Sequence, residues 1–153
     1  IKLQKKQSTT KVKVTGLANG DSVKSWISSN KKIVTVDKSG KIKAGKKTGN
    51  AKITVTLKSG KKAILKVKVQ STKVKTTKIT GLKTNFTLKK GKSLTLKPVV
   101  APITSQEKVT YTTSNKKVAT VTKNGVIKAK KKGTATITVK SGSKSKKIKI
   151  KVK

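Results

Sequence analysis

The sequence of 153 residues contains no cysteine, histidine, methionine or arginine. Without cysteine, the fold has no disulfide and no thiolate ligand for a metal. Without histidine, general acid–base chemistry would depend on lysine, one tyrosine and three acids. The three acids fall in predicted turns or loops and have no matching partners between the two halves of the chain. We therefore expect a protein that is not an enzyme, with no catalytic residues, no metal site and no cofactor.

Acidic residues are almost absent. Only Asp21, Asp37 and Glu107 oppose 42 basic residues, all of them lysine, so the net charge is +39. Such a surplus attracts polyanions, and lysine on exposed strand edges prevents sheets from pairing with one another. Arginine is the usual bidentate reader of guanine, so its absence argues against recognition of a specific nucleic-acid sequence.

Aromatic residues and long apolar runs are also scarce. No apolar stretch approaches the roughly 20 residues that a membrane helix needs, so no membrane span is expected. The apolar residues occur instead in alternating runs, such as "KVKV" at Lys11, "AKITVTL" at Ala51 and "KIKIKVK" at Lys147. A period of two indicates strands with one buried face and one solvated face. The sequence predicts an all-β protein with cores of valine, isoleucine and leucine.

One stretch of the sequence occurs twice in closely similar form. "SSNKKIVTVDKSGKIKA" begins at Ser28 and "TSNKKVATVTKNGVIKA" begins at Thr113, an offset of 113 − 28 = 85 residues. After a one-residue insertion in the first copy, the match resumes with Gly49 opposite Gly133. A repeat of this length indicates two tandem copies of one small domain. We expect the first domain to span residues 1–70 and the second to span residues 71–153.

The two copies differ at their beginnings. The second copy opens with "KVKTTKITGLKTNFTLKKG", from Lys73 to Gly91, whereas Ile1–Leu3 of the first copy aligns with Phe86–Leu88. The first domain is therefore expected to lack its opening strand. One interpretation is that Ile1 marks an arbitrary boundary or the start of a disordered segment; the other is that a strand donated by another copy of the chain completes the domain by β-strand addition. Self-association into a filament or stalk is accordingly one alternative function.

Several stretches resemble the bacterial immunoglobulin-like domain of group 2. They are Trp26–Asp37, Gly40–Ala44 and Gly49–Val55, and the second copy matches through Tyr111–Val121 and Gly133–Ile137. The family pattern is an aromatic residue, Ser-Ser-Asn, a valine strand, a glycine turn and an entry to an Ile/Val strand. The resemblance implies two tandem Ig-like β-sandwich domains, the first lacking its opening strand. It also implies a non-catalytic structural or adhesive module of an extracellular or surface-anchored bacterial protein.

The repeated motif contains two kinds of residue with more than one interpretation. Trp26 and Tyr111 head a strand, where an aromatic ring fills a sandwich core more often than it stacks on a sugar or base. Asn30 and Asn115 precede lysine pairs, where an asparagine side chain bonds to nearby backbone in a turn. We expect the core role for the aromatic residues and the turn role for the asparagines.

Lysine pairs and triplets fall in loops at matching places in the two repeats. One interpretation is binding of an anionic polymer of the cell wall, a sulfated or uronic-acid glycan, or nucleic acid without sequence preference. The other is a charged surface that maintains solubility. The candidate polyanion-binding residues are Lys31, Lys32, Lys46, Lys47, Lys116, Lys117, Lys130, Lys131 and Lys132.

Overall fold

The computed structural model describes residues 1–153 and consists of strands joined by turns and loops. The chain divides into two compact units, Ile1–Val74 (unit 1) and Lys75–Lys153 (unit 2). No helix in the structure is long and apolar enough to cross a membrane. The prediction of an all-β protein is confirmed.

Unit 1 contains seven strands in two sheets. One sheet has the order β1-β7-β6-β3, and the other has the order β2-β5-β4. The strands are β1 (Lys2–Gln4), β2 (Ser8–Thr9), β3 (Val23–Ser28), β4 (Val34–Val36), β5 (Ile42–Ala44), β6 (Gly49–Leu57) and β7 (Lys62–Gln70).

Unit 2 contains nine strands and repeats both sheets. They are β8 (Lys78–Thr80), β9 (Asn85–Leu88), β10 (Ser93–Thr95), β11 (Val99–Ala101), β12 (Val109–Thr113), β13 (Ala119–Val121), β14 (Val126–Ala129), β15 (Gly133–Ser141) and β16 (Lys144–Val152). The four-stranded sheet has the order β12-β15-β16-β9, and the three-stranded sheet has the order β10-β14-β13. Unit 2 also has an antiparallel pair, β8 with β11, that unit 1 lacks.

An antiparallel pair of nine-residue strands forms the centre of each unit, β6 with β7 and β15 with β16. Along β6, Ala51, Ile53 and Val55 are buried, whereas Lys52 between them is exposed. Burying each isoleucine contributes about 1.5–3 kcal/mol. A short strand then pairs in parallel with the second strand of each pair, β1 with β7 and β9 with β16. The period-two pattern in the sequence thus produces a sheet with an apolar inner face.

The core of each unit lies between its two sheets. In unit 1, Ile53 of the four-stranded sheet and Ile42 of the three-stranded sheet belong to one buried cluster. In unit 2, Ile137 and Ile127 occupy the same positions, and all four side chains are fully buried. The two units are therefore tandem β-sandwiches, as predicted.

The aromatic residues at the head of the repeated motif pack against these cores. Trp26 and Tyr111 are partly buried, and each lies over a glycine of the following turn. A Cβ atom added at Gly40 would approach the Trp26 ring to 2.9 Å, and one at Gly125 would approach the Tyr111 ring to 2.8 Å. Both glycines also have positive φ, +80° and +78°. The predicted core role of the aromatic residues is confirmed.

The strand predicted at "KVKV", Lys11–Val14, is wrong, because residues 10–18 form no strand. Val12 still packs against the core, so the alternation correctly indicated a buried side. A strand also needs a backbone partner, however. In unit 2 the corresponding edge segment, β11, pairs with β8, whereas no strand of unit 1 pairs with residues 10–18.

We expect Gly40→Ala to destabilise unit 1 more than Gly60→Ala does. Both glycines have positive φ, but a Cβ at Gly60 meets nothing within 4 Å. Gly60→Ala therefore adds only the left-handed backbone cost of about 1–2 kcal/mol, whereas Gly40→Ala must also displace the Trp26 ring. Urea unfolding followed by fluorescence of Trp26, the only tryptophan, measures both losses. Equal losses would show that the ring does not depend on this glycine.

Candidate functional site

The first lysine pair lies in a turn that is held by an asparagine. The Asn30 side-chain Oδ1 accepts a hydrogen bond from the Lys32 backbone N at 3.0 Å, and the Asn30 carbonyl accepts one from the Val34 N at 3.0 Å. In unit 2, Asn115 Oδ1 accepts from the Lys117 N at 3.0 Å. The predicted turn role of both asparagines is confirmed. These bonds use the lysine backbone and not the lysine side chains, which are exposed.

The second lysine group lies beside the first. In unit 1, Gly45 N donates to the Ile33 carbonyl at 2.8 Å, and an added Cβ at Gly45 would collide with the Lys32 carbonyl. In unit 2, Lys130 N and Lys131 N donate to the Val118 carbonyl at 2.8 and 3.3 Å. The nine predicted residues therefore form two groups. One group lies on two adjoining loops of unit 1 and contains Lys31, Lys32, Lys46 and Lys47. The other lies on two adjoining loops of unit 2 and contains Lys116, Lys117, Lys130, Lys131 and Lys132.

A third loop, which the sequence analysis missed, joins the same end of each unit. Lys6 N donates to the Gly45 carbonyl at 3.0 Å, and Gly91 N donates to the Ala129 carbonyl at 2.8 Å. Pairing of β2 with β5, and of β10 with β14, brings this loop into place. We call the combined set of loop lysines in each unit the basic loop cluster of that unit. Its exposed members are Lys5, Lys6, Lys31, Lys32, Lys46 and Lys47 in unit 1, and Lys89, Lys90, Lys92, Lys116, Lys117, Lys130, Lys131 and Lys132 in unit 2.

One lysine of the cluster occupies a backbone conformation that favours glycine. Lys6 has φ +66°, whereas its counterpart at the repeat offset, Gly91, has φ +81°. A residue with a Cβ pays about 1–2 kcal/mol in the left-handed region. Unit 1 therefore has a lysine at a turn position where unit 2 has glycine, the residue that this backbone conformation favours.

Asp21 and Glu107 lie away from the basic loop cluster. Asp21 accepts a hydrogen bond from Ser59 Oγ at 2.6 Å, at the far end of β6. Glu107 accepts one from the Thr76 N at 2.7 Å, near the far end of β15. A nine-residue strand places these ends roughly 26 Å from the loops, well beyond the screening length of about 8 Å at physiological salt. Neither Asp21 nor Glu107 therefore neutralises the cluster.

The two aspartates of unit 1 serve as acceptors within turns. The Asp37 carboxylate accepts from Ser39 Oγ at 2.6 Å and from the Lys41 N at 3.0 Å, and these bonds hold its pKa below the ordinary value. The hydrogen bond from Ser59 Oγ likewise lowers the pKa of Asp21. Hydrogen bonds to the charged form explain both shifts.

The remaining ionisable groups form no metal or acid–base constellation. Burial raises the pKa of the Tyr111 hydroxyl, which keeps the phenol protonated near neutral pH. No group of three His, Cys, Asp or Glu residues is placed to hold a metal ion. The chemistry that the surface offers is attraction of anions by clustered ammonium groups.

The fold and the surface together define a tandem of immunoglobulin-like β-sandwiches whose loops are basic at one end. The profile of the bacterial Ig-like domain (group 2) matches residues 2–67 and 71–152. The chain belongs to this family, as the sequence resemblance predicted.

Parts of this chain are similar in sequence or in fold to individual known proteins. Kappa-carrageenase from Pseudoalteromonas carrageenovora is 57% identical over 51 residues, which cover 33% of this chain and 13% of that enzyme. Domains 4 and 5 of the S-layer protein SbsC have a TM-score of 0.47 and 22% identity, over 83% of this chain and 68% of that one. A GH10 xylanase from termite gut with a bacterial Ig-like domain has a TM-score of 0.38 and 24% identity, over 44% and 18% of the two chains.

We expect unit 1 to lose stability as the pH falls below about 4. The folded-state pKa values of Asp21 and Asp37 are depressed, so their stabilising contribution is present above the unfolded value and is lost as the pH falls through the folded value. The midpoint of urea unfolding, followed by Trp26 fluorescence from pH 6 down to about pH 2, measures this loss. The double variant Asp21→Asn, Asp37→Asn should show a flatter profile. A variant that keeps the full acid-dependent loss would contradict this assignment.

Proposed function

We propose that this chain is a non-catalytic extracellular module of a bacterial surface or secreted protein, and that it binds anionic polymers of the cell wall or anionic glycans. The basic loop clusters supply the contacts. Each cluster presents ammonium groups from three loops that the sandwich holds at one end, so the backbone positions of these lysines are fixed before binding. Fixed loops lose less backbone entropy on binding than a flexible basic tail does.

The observation that carries the proposal is the convergence of three lysine loops in both units, at the end of the sandwich opposite Asp21 and Glu107. Backbone bonds join the loops at 2.8 to 3.3 Å in each unit. Lys6 adds a second argument, because a lysine there costs backbone energy for which solubility gives no reason.

The comparisons support the same class of function. Membership in the bacterial Ig-like family agrees with an accessory or structural role in a surface or secreted protein. The relative that shares 57% identity over 51 residues is named for a polysaccharide, kappa-carrageenan. An Ig-like module with a polycationic end would serve such a protein by holding an anionic polymer close to it.

Two charge-matched variants of unit 2 test the proposal. The loop variant replaces Lys116, Lys117, Lys130, Lys131 and Lys132 by glutamine. The control variant replaces Lys108, Lys140, Lys144, Lys146 and Lys147 by glutamine. Both lose five charges, but only the first removes them from the basic loop cluster.

We expect the loop variant to bind anionic polymers more weakly and with a smaller dependence on salt. If all five lysines contact charged groups, the slope of log K against log salt falls by about 4 to 5, at about 0.9 per contact on duplex DNA. The control variant should change the slope by less than half as much. Titrations with kappa-carrageenan, teichoic acid and duplex DNA at matched charge density provide the measurement.

Two results would refute the proposal. Equal losses of affinity in the two variants would mean that binding depends on the total charge and not on the basic loop cluster. The chain would instead be a nucleic-acid binder if duplex DNA stays bound at about 0.15 M salt while the glycan and the teichoic acid dissociate. At this salt concentration the screening length is about 8 Å, so only charges close to the ligand contribute to binding.

A further inference from the structure

Two isoleucines project from the solvent-facing side of the four-stranded sheet of unit 1. Ile27 of β3 is 60% exposed and Ile64 of β7 is 61% exposed, the highest values among the exposed large apolar residues. Both residues pair with Thr54 of β6, one from each side, so they are two strand spacings or about 10 Å apart. Side chains stand roughly perpendicular to a sheet, so the shorter threonine lies between two longer apolar side chains. We call this row of three residues the apolar saddle.

The repeat shows that the sandwich does not require these isoleucines. In unit 2 the corresponding row consists of Thr112, Thr138 and Lys147, joined by the same strand pairing. Thr112 and Lys147 are exposed although unit 2 contains β8, so the exposure of this row does not depend on that strand. A single exposed isoleucine is ordinary. Two that flank one residue in unit 1, and that are absent from the repeat, indicate a contact surface specific to unit 1.

Lysines border the apolar saddle on both sides along the strands. Lys52 pairs with Lys66 on one side, and Thr56 pairs with Lys62 on the other, each two residues from the saddle. Residues two apart lie on the same face of a sheet, about 6.8 Å from one another. All three lysines are exposed, and none of the strands of this sheet contains Asp or Glu. The face therefore has an apolar row between two charged rows, which are about 13 Å apart.

This composition argues against a protein as the partner. A stable protein interface covers about 800 Å² on each partner, and lysine is depleted from such interfaces. Two isoleucines bordered by lysines provide much less apolar area than that. A polymer of bare phosphates also fits poorly, because it has no apolar surface to bury against the isoleucines. A glycan with an acidic group on every second sugar fits both features, since the C–H face of the intervening ring is apolar and the acidic groups match the lysines.

We propose that the apolar saddle binds a single chain of an anionic glycan that carries a charged group on every second sugar. The chain lies along β6, with an uncharged sugar ring over Thr54 and between Ile27 and Ile64. Its anionic groups lie beside Lys52 on one side and Lys62 on the other. This inference rests on the proposed function and deepens it, because it names the class of glycan. The basic loop cluster attracts any polyanion, whereas the saddle favours a polymer with apolar sugar faces.

Strand β6 connects the saddle to the basic loop cluster of unit 1. Lys46 and Lys47 of the cluster lie just before Gly49, the first residue of β6. At about 3.4 Å per residue, the path along β6 from Gly49 to Thr54 is roughly 17 Å long. One glycan chain of several sugars can therefore contact both surfaces together. Binding at one surface then raises the effective concentration of the chain at the other.

The variant Ile27→Thr, Ile64→Thr tests the inference without changing any charge. Both positions are exposed and threonine favours strands, so the fold is retained. The control variant Val99→Thr, Ile103→Thr changes residues of unit 2 that are 53% and 38% exposed. The whole chain is titrated with kappa-carrageenan, which has a sulfate on every second sugar, and with inorganic polyphosphate at the same concentration of charged groups.

We expect the isoleucine variant to bind kappa-carrageenan about tenfold more weakly, because it loses the apolar surface that the sugar ring covers. Its affinity for polyphosphate, and the salt dependence for both polymers, should stay unchanged because every lysine remains. The control variant should bind both polymers as the unsubstituted chain does.

The inference is wrong if the isoleucine variant binds kappa-carrageenan as tightly as the unsubstituted chain, or if it loses affinity for polyphosphate by the same factor. Binding to phosphatidylglycerol vesicles that depends on the isoleucines, while glycan binding does not, would identify a membrane surface as the partner instead. The two proposals can fail separately. The loop variant of unit 2 changes the salt slope, whereas the isoleucine variant of unit 1 changes the preference between polymers at a constant slope.

Discussion

The pairing of two long antiparallel strands in each unit is the interaction on which the rest of the structure depends. In the pairs β6–β7 and β15–β16, the inward-facing residues form one wall of the core. The outward-facing residues are largely lysine and threonine and face the solvent. The short strands, including the parallel β1 and β9, attach to this pair. Because the long strands are two-sided, a chain with a net charge of +39 can keep its core free of charge.

The same strands separate the charges along the length of each unit. The loops at one end are held by backbone bonds and by the side chains of Asn30 and Asn115, whereas Asp21 and Glu107 bond to other loop segments at the other end. Each unit thereby carries a group of exposed lysines on adjoining loops at one end. The two units differ at their edges, where unit 2 has β8 and residues 10–18 of unit 1 pair with no strand. The lysine loops and the edge that β8 covers in unit 2 are therefore different parts of the sandwich.

Much of this architecture could be predicted from local patterns. The alternation in "AKITVTL" predicted a two-sided strand, and the offset between Trp26 and Tyr111 predicted two copies of one fold. The third basic loop was missed, because only long-range pairing of β2 with β5 brings Lys6 to Gly45. "KVKV" at Lys11 was mistaken for a strand for a related reason, since a period of two reports a buried side but not the presence of a backbone partner. Contacts between distant segments are what the patterns did not contain.

Native-state hydrogen exchange tests the central claim most directly, namely that two copies of one sandwich differ in the pairing of a single edge segment. The account predicts that the amides of Val99–Ala101, which pair with β8, exchange at least tenfold more slowly than those of Val14–Gly16, while β6 and β15 are equally well protected. Equal protection of the two edge segments would contradict the account, because it would show that unit 1 satisfies this edge without a partner strand.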